Sequence, residues 1–145
     1  MSVAADSSFL VSYYVFDTHS ERAAEWAEKQ SAEMILTSLT VMEIDNALQA
    51  RVFRGQNTAD ESRKAIAAFE ADLANGAFRQ MPLPESIWIT ARNLTRSHTS
   101  VIGARSLDIL HVASALALKA DTFLTFDERQ ARLARAVGLA TPMDV

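Results

Sequence analysis

Residues 104–139, ARSLDILHVASALALKADTFLTFDERQARLARAVGL, constrain the fold more than any other stretch. From Leu107 to Leu118 nearly every side chain is apolar. Leu107, Leu110, Ala113 and Ala117 fall on one side of a helix and Ile109, Val112 and Leu116 on another, the pattern of a helix buried on most of its girth. Ser106 is the expected N-cap, which puts Asp108 in the first turn, where free N–H groups and the helix dipole favour an anion. Residues 122–126, TFLTF, then read as a short buried strand. Asp127 follows as the cap of a second helix, with Gln130 at capping-box spacing and Gly138 as the stop. A helix, a strand and a helix in this order deliver Asp108 and Asp127 to the same end of one sheet. Two carboxylates there suggest a cation site.

Each acid also has a structural explanation. Asp is a favoured helix cap, and a lone Asp127 needs no other role. Asp108 is harder to dismiss, because a carboxylate in an apolar helix start is costly to bury without a partner or a metal. The rest of the chain has to decide between these readings.

The rest of the chain places two more acids at that edge. Residues 2–5, SVAA, read as a strand that ends at Asp6, with Ser7 and Ser8 as short donors that orient its oxygens or cap the following helix. A surface helix at about 20–30 turns Ala23, Trp26 and Ala27 inward, and residues 34–37, MILT, form a second buried strand. In the helix that follows, SLTVMEIDNALQARVF, the stripe is Val41, Ile44, Leu48 and Val52. Thr40 and Glu43 stand at capping-box spacing, the structural explanation for that glutamate. Glu43 and Asp45 diverge by about 200° on a helix and cannot share one site. A helix opened by Thr58 and Glu61 and closed at Asn75-Gly76 reads as packing surface. Residues 78–82, FRQMP, read as an edge strand because of the proline, and a helix spans about 84–98.

Strands alternating with helices predict an α/β domain over residues 1–145: three layers, with a central, mainly parallel sheet covered on both faces. In such sheets ligands gather at the carboxyl ends of the strands. Asp6, Asp127 and, a turn beyond its strand, Glu43 all lie there, and Asp108 opens the helix that leads into the last strand. Four acids at one end form a rarer coincidence than any single cap.

Composition narrows the chemistry. With no cysteine among 145 residues, disulfides and thiolate metal sites are excluded, and a reducing cytoplasm is the expected compartment. No apolar run approaches the roughly 20 residues of a membrane span, and no basic leader precedes an apolar stretch. The formal charge of -4 argues against binding nucleic acid by bulk electrostatics. It leaves room for a nuclease whose acids are neutralised by cations, and 11 of the 14 basic residues are arginines, the side chain suited to bidentate phosphate contacts.

The run from Arg105 through the final helix, the opening Asp6-Ser7-Ser8 and Glu43 in SLTVMEIDNAL together resemble the PIN-domain ribonucleases, and among them the bacterial toxins of the VapC type. The resemblance spans essentially the whole chain; its one departure is the leading strand SVAA, less apolar and β-branched than the family's usual. It implies that Asp6, Glu43, Asp108 and Asp127 are an acidic quartet that holds Mg²⁺ or Mn²⁺ and hydrolyses RNA, with Thr125 a polar neighbour. It also implies a homodimer inhibited by a cognate antitoxin. Hard oxygen ligands suit these ions, and no His or Cys cluster favours zinc. Arg105 and His111, three residues either side of Asp108, could face the site, although a histidine on an apolar helix usually belongs to the core. Two alternatives stand beside this: a PIN-fold RNA-processing nuclease that is not a toxin, and a non-catalytic Mg²⁺-binding receiver domain. The receiver wants paired acids after the first strand and a lysine ending a late one; here Asp6 is single, and Lys29, Lys64 and Lys119 are all expected on helices.

Overall fold

Four short parallel strands carry the architecture: β1 (Ser2–Ala5), β2 (Glu33–Leu36), β3 (Arg79–Gln80) and β4 (Thr122–Leu124), in the spatial order β3-β2-β1-β4. The computed structural model describes residues 1–143. Between the strands run α1 (Ser7–Tyr14) and α2 (Ser20–Lys29), then α3 (Ser38–Phe53) and α4 (Ala59–Ala74), then α5 (Ile87–Ile102) and α6 (Ser106–Ala117); α7 (Glu128–Ala136) follows β4.

Strand order explains the layers. The first two crossovers step from β1 to β2 to β3 in one direction, and the third returns past β1 to place β4 on its other side. Right-handed crossovers that reverse direction must put their helices on opposite faces. Accordingly α1, α3 and α4 bury Phe9, Leu10, Ile44, Leu48 and Phe69 with Val3, Ala5 and Leu124 on one face. The other face holds Ile87, Leu94, Ile109, Val112 and Leu133 with Ala4 and Phe123. Alternate residues of β1 and β4 therefore serve opposite cores, as the period of a strand requires. The expected three-layer α/β architecture is the one observed.

Local boundaries differ where side chains intervene. The edge strand expected over 78–82 shortens to Arg79–Gln80, and the helix expected over 84–98 runs as α5 to Ile102, ending at Gly103 with φ of 72°. Lys119 is not helical; it turns the chain after α6 with φ of 58°. Leu107, expected in the core, is 40% exposed. Helix α4 carries the anticipated capping box, the Thr58 hydroxyl accepting from the Glu61 N–H at 3.1 Å and the Glu61 carboxylate from the Thr58 N–H at 3.0 Å. It is tied to α1 by the Tyr14 hydroxyl, which donates to Asp72 Oδ2. Burial, and then that contact, push the phenol's pKa up and keep it protonated. No helix among the described residues is long and apolar enough to cross a membrane.

Phe123 is 1% exposed and joins β4 to the α6 side of the core, whereas Phe53 is 93% exposed. Phe123→Ala should cost about 3–5 kcal/mol of unfolding free energy in urea titration. Phe53→Ser should stay within about 0.5 kcal/mol of wild type.

Candidate active site

Asp6 leaves β1 at the point where the sheet changes direction. Its backbone N–H still donates to Leu124 O at 3.1 Å, so it sits beside the end of β4. Its side chain caps α1: Oδ1 accepts the Phe9 N–H at 3.2 Å and the Ser8 hydroxyl at 2.7 Å, while Oδ2 accepts the Thr125 hydroxyl at 2.7 Å. The residue is wholly buried. Burial raises its carboxyl pKa above the ordinary 3.8; the Ser8 and Thr125 hydroxyls, the nearby His111 and the Phe9 N–H oppose that rise without cancelling it.

Thr125 and Ser8 extend the network to Asp127. Thr125 Oγ1 accepts the Asp127 N–H at 2.9 Å, and Ser8 Oγ accepts the Phe126 N–H at 2.9 Å. The two hydroxyls lie 3.3 Å apart. These side-chain bonds replace the strand ladder beyond Leu124, which is why β4 stops two residues short of the expected 122–126. Asp127 caps α7 as anticipated, its Oδ1 accepting the Gln130 N–H at 3.0 Å. The reciprocal half of that capping box is absent, and Gln130 Oε1 is buried without a hydrogen-bond partner.

Glu43 reaches the same place from α3. That helix begins at Ser38 with Thr37 as N-cap, so Glu43 lies beyond the first turn and the Thr40–Glu43 capping box does not form. Its Oε2 instead accepts the Ser7 hydroxyl at 3.4 Å and stands 3.7 Å from His111 Nε2. Asp45 diverges as expected and lines a separate cleft with Val41, Met42 and Met81.

Helix α6 brings Asp108 and His111. Its N-cap is Arg105, not Ser106, and Asp108 Oδ2 accepts the Arg105 N–H at 2.8 Å. The Arg105 guanidinium stays largely exposed, with Nε 4.0 Å from that oxygen. Asp108 itself is only 7% exposed. One turn further, His111 is 3% exposed, and its Nε2 has no hydrogen-bond partner. The residue expected to be a satisfied core histidine is therefore an unsatisfied one beside Glu43 and Asp6. An isolated polar residue in an apolar helix gives no signal of that difference; what it faces depends on α3.

All four sequence-predicted acids thus lie at the carboxyl edge of the parallel sheet: Asp6 after β1, Asp127 after β4, Glu43 on the helix after β2, and Asp108 at the start of the helix leading into β4. They do not form a ready-made cage, since no three His, Asp or Glu side chains among the described residues are arranged to hold a metal ion. Asp6, Asp108 and Asp127 instead turn oxygens toward helix N–H groups. By type the donors fit a hard cation, and the buried Asp6 carboxylate and orphaned His111 nitrogen are groups for which nearby positive charge or a bound water would lower the cost of burial.

The PIN domain family profile matches residues 3–136. The chain belongs to the PIN domain family. That places it outside the receiver class. No curated protein matches it by sequence. The fold of this PIN domain is similar to that of Mycobacterium tuberculosis VapC20, a toxin described as cleaving the sarcin–ricin loop, with 14% identity and a TM-score of 0.72 over 94% of this chain and 96% of that one. It is also similar to VapBC2 from Rickettsia felis bound to a promoter DNA fragment, with 13% identity and a TM-score of 0.70 over 100% and 99% of the two chains. A third similar structure is FitAB bound to the IR36 DNA fragment, with 18% identity, a TM-score of 0.68 and 96% and 92% coverage; FitAcB, another structure of this kind, comes from Neisseria gonorrhoeae.

The raised pKa of Asp6 has a definite sign. The folded state holds this proton more tightly than the unfolded chain, so its contribution to stability is fully present below the ordinary value of 3.8 and is lost as pH rises through the elevated folded value. Asp6→Asn in metal-free protein should therefore melt higher than wild type at neutral pH, and the difference should shrink toward acid. Thermal unfolding in EDTA across that range measures it.

Proposed function

We propose that this PIN domain is a metal-dependent endoribonuclease and acts as the toxin of a VapBC-type toxin–antitoxin pair. The observation that carries the reading is the wholly buried Asp6 carboxylate at the crevice between β1 and β4, with Glu43 and His111 beside it and Asp127 joined through Thr125. The fold shared with VapC20, a sarcin–ricin loop cleaving toxin, and with a toxin–antitoxin complex from Klebsiella pneumoniae supports a nuclease toxin with an antitoxin as partner.

Asp6, Glu43, Asp108 and Asp127 would hold Mg²⁺ or Mn²⁺, whose chemistry here is to lower the pKa of a bound water and offset charge on the leaving oxygen. The chain's own part is positioning. Ser8 and Thr125 fix the plane of the Asp6 carboxylate, Ser7 holds Glu43, and the Arg105 N–H holds Asp108. No side-chain nucleophile is required. His111 brings Nε2 to 3.7 Å from Glu43 Oε2 with no hydrogen-bond partner of its own, so it is available to that carboxylate. The antitoxin lies across the acidic edge with a basic side chain among the carboxylates, the toxin is a homodimer, and it works in the cytoplasm.

Asp108→Asn keeps an acceptor for the Arg105 N–H, so the variant should fold normally. Its RNA cleavage with Mg²⁺ or Mn²⁺ should fall by on the order of a hundredfold or more. Loss of a cap alone would instead cost about 0.5–2 kcal/mol of stability and leave activity intact. Full activity in a folded Asp108→Asn, or wild-type cleavage undiminished in EDTA, would refute the assignment. Expression of the wild-type chain alone should slow host growth, and the purified chain should elute as a dimer; harmless expression and a monomeric elution volume would count against the toxin reading.

A further inference from the structure

The stripe of α3 that carries Glu43 continues through Ala47 to Arg51 and Arg54, residues four, four and three apart and therefore on one helix face. At 1.5 Å per residue, Arg51 lies about 12 Å beyond Glu43 along the helix. A cleft of about 370 Å³ follows this stripe, with Ser7, Ser8 and Asp127 toward the acidic edge and Arg51, Arg54 and His19 on its walls. Its floor is opened by the small side chain of Ala47, which lines it.

Two features of the cleft are built rather than incidental. Arg51 is only 17% exposed in its side chain, and its guanidinium is held by Asn57 Oδ1 and lies 4.0 Å from Asp17 Oδ2. Of the two acids lining the cleft, Asp127 stands at its acidic end, and Asp17, beside Arg51, is already engaged: it accepts the Ser12 hydroxyl at 2.9 Å, the His19 N–H at 2.9 Å and the Ser20 hydroxyl at 3.2 Å. The second feature is a stack of rings leading out of the core. Phe9, wholly buried, stacks on Phe126 at 5.8 Å, and Phe126 stacks on His19 at 4.4 Å and 11°. Arg22 lies over Phe126 as well, so His19, half-buried and lining the cleft, is the outermost ring of the series.

Cationic groups alternating with an aromatic plane along one groove are the footprint of single-stranded nucleic acid, whose phosphates pair with arginine and whose bases stack. We propose that the cleft between α3 and the α1–α2 connection is a binding subsite for single-stranded RNA adjoining the acidic edge, in which Arg51 and Arg54 take backbone phosphates and His19 stacks a base. The chain as a whole is acidic, with a formal charge of -4, so this local arrangement rather than net charge steers the strand. The subsite rests on the ribonuclease reading and adds to it the path by which substrate approaches.

The test is fluorescence anisotropy with a short fluorescein-labelled single-stranded RNA, in an Asp108→Asn background so that binding is read without cleavage, together with cleavage by the wild-type chain. Arg54→Gln should weaken binding and reduce the slope of log affinity against log salt by about 0.7, the loss of one phosphate contact. His19→Ala should weaken binding about tenfold, as loss of one base stack does, and His19→Phe should restore it. Arg63→Gln removes the same charge from an exposed position on α4 and should change nothing. The His19 side chain makes no capping bond to α2, and circular dichroism confirms the fold of each variant; should His19→Ala misfold, Arg54→Gln decides. Parental affinity and salt slope in Arg54→Gln, or His19→Phe binding as weakly as His19→Ala, would overturn the subsite. Unchanged RNA affinity in both positions would overturn it in favour of an acidic protein segment as occupant. Wild-type cleavage alongside unaffected binding variants removes the subsite and leaves the ribonuclease standing; sensitive binding without any Mg²⁺- or Mn²⁺-dependent cleavage does the opposite.

Discussion

The Asp6 carboxylate is the joint on which this molecule turns. One oxygen ties down the start of α1 through Phe9 and Ser8, and the other ties the end of β4 through Thr125. The carboxylate thus bridges two segments 119 positions apart in sequence, at the crevice between β1 and β4, where neighbouring strands send their chains in opposite directions. A buried carboxylate is tolerable only when hydrogen bonds replace water, and here three of them do. They do not fully compensate, as the upward displacement of its pKa records. A positive charge near Asp6 would favour the ionised form, so the burial that raises this pKa is what a cation held as proposed would offset.

The same coupling explains why the strands can be so short. None of the four exceeds four residues, and β3 has two. Pairing alone would hold such a sheet weakly, but β1, β2 and β4 each run directly into a helix cap or a side-chain network at the carboxyl edge. Asp6 caps α1, Thr37 begins α3, and Asp127 caps α7. Fully buried Phe9, Phe69 and Phe123 fasten the helices to both faces, each contributing about 1.5–3 kcal/mol by removal from water.

Most of the fold was legible because its elements announce themselves locally. The apolar girth of residues 107–118, the Thr58–Glu61 box and the glycine stops needed no tertiary information. What failed were features set by neighbours. The Thr40–Glu43 spacing satisfies the capping-box pattern, but the helix had already begun two residues before Thr40, because Thr37, the extended residue after β2, is its N-cap. Residues 125 and 126 have strand-forming side chains, yet the Phe126 N–H goes to Ser8 and the Thr125 hydroxyl to Asp6, and the ladder does not continue. His111 read as core because its own helix is apolar; its unsatisfied nitrogen is a consequence of where α3 puts Glu43. The cleft at His19 and Arg51 was not singled out at all, although the Glu43–Ala47–Arg51–Arg54 stripe is visible in the sequence to anyone who extends it past the acid.

Treating each acid as either a cap or a site residue poses the wrong choice. Asp6, Asp108 and Asp127 each accept a backbone N–H at the start of a helix, α1, α6 and α7 respectively, and all three helices begin at the carboxyl edge of the sheet. A carboxylate at a helix N-terminus is stabilised by the dipole and by orphan donors. Three helix starts gathered at one edge can therefore keep several negative charges close together without a cation, which side-chain repulsion would otherwise oppose. For Asp108 and Asp127 that bond uses one carboxylate oxygen, and under the proposed function the second would be the one to meet a ligand. In a parallel α/β sheet the places that need capping and the places that can gather charge are the same, so for Asp6, Asp108 and Asp127 the cap signal in the sequence was also the signal of the candidate site.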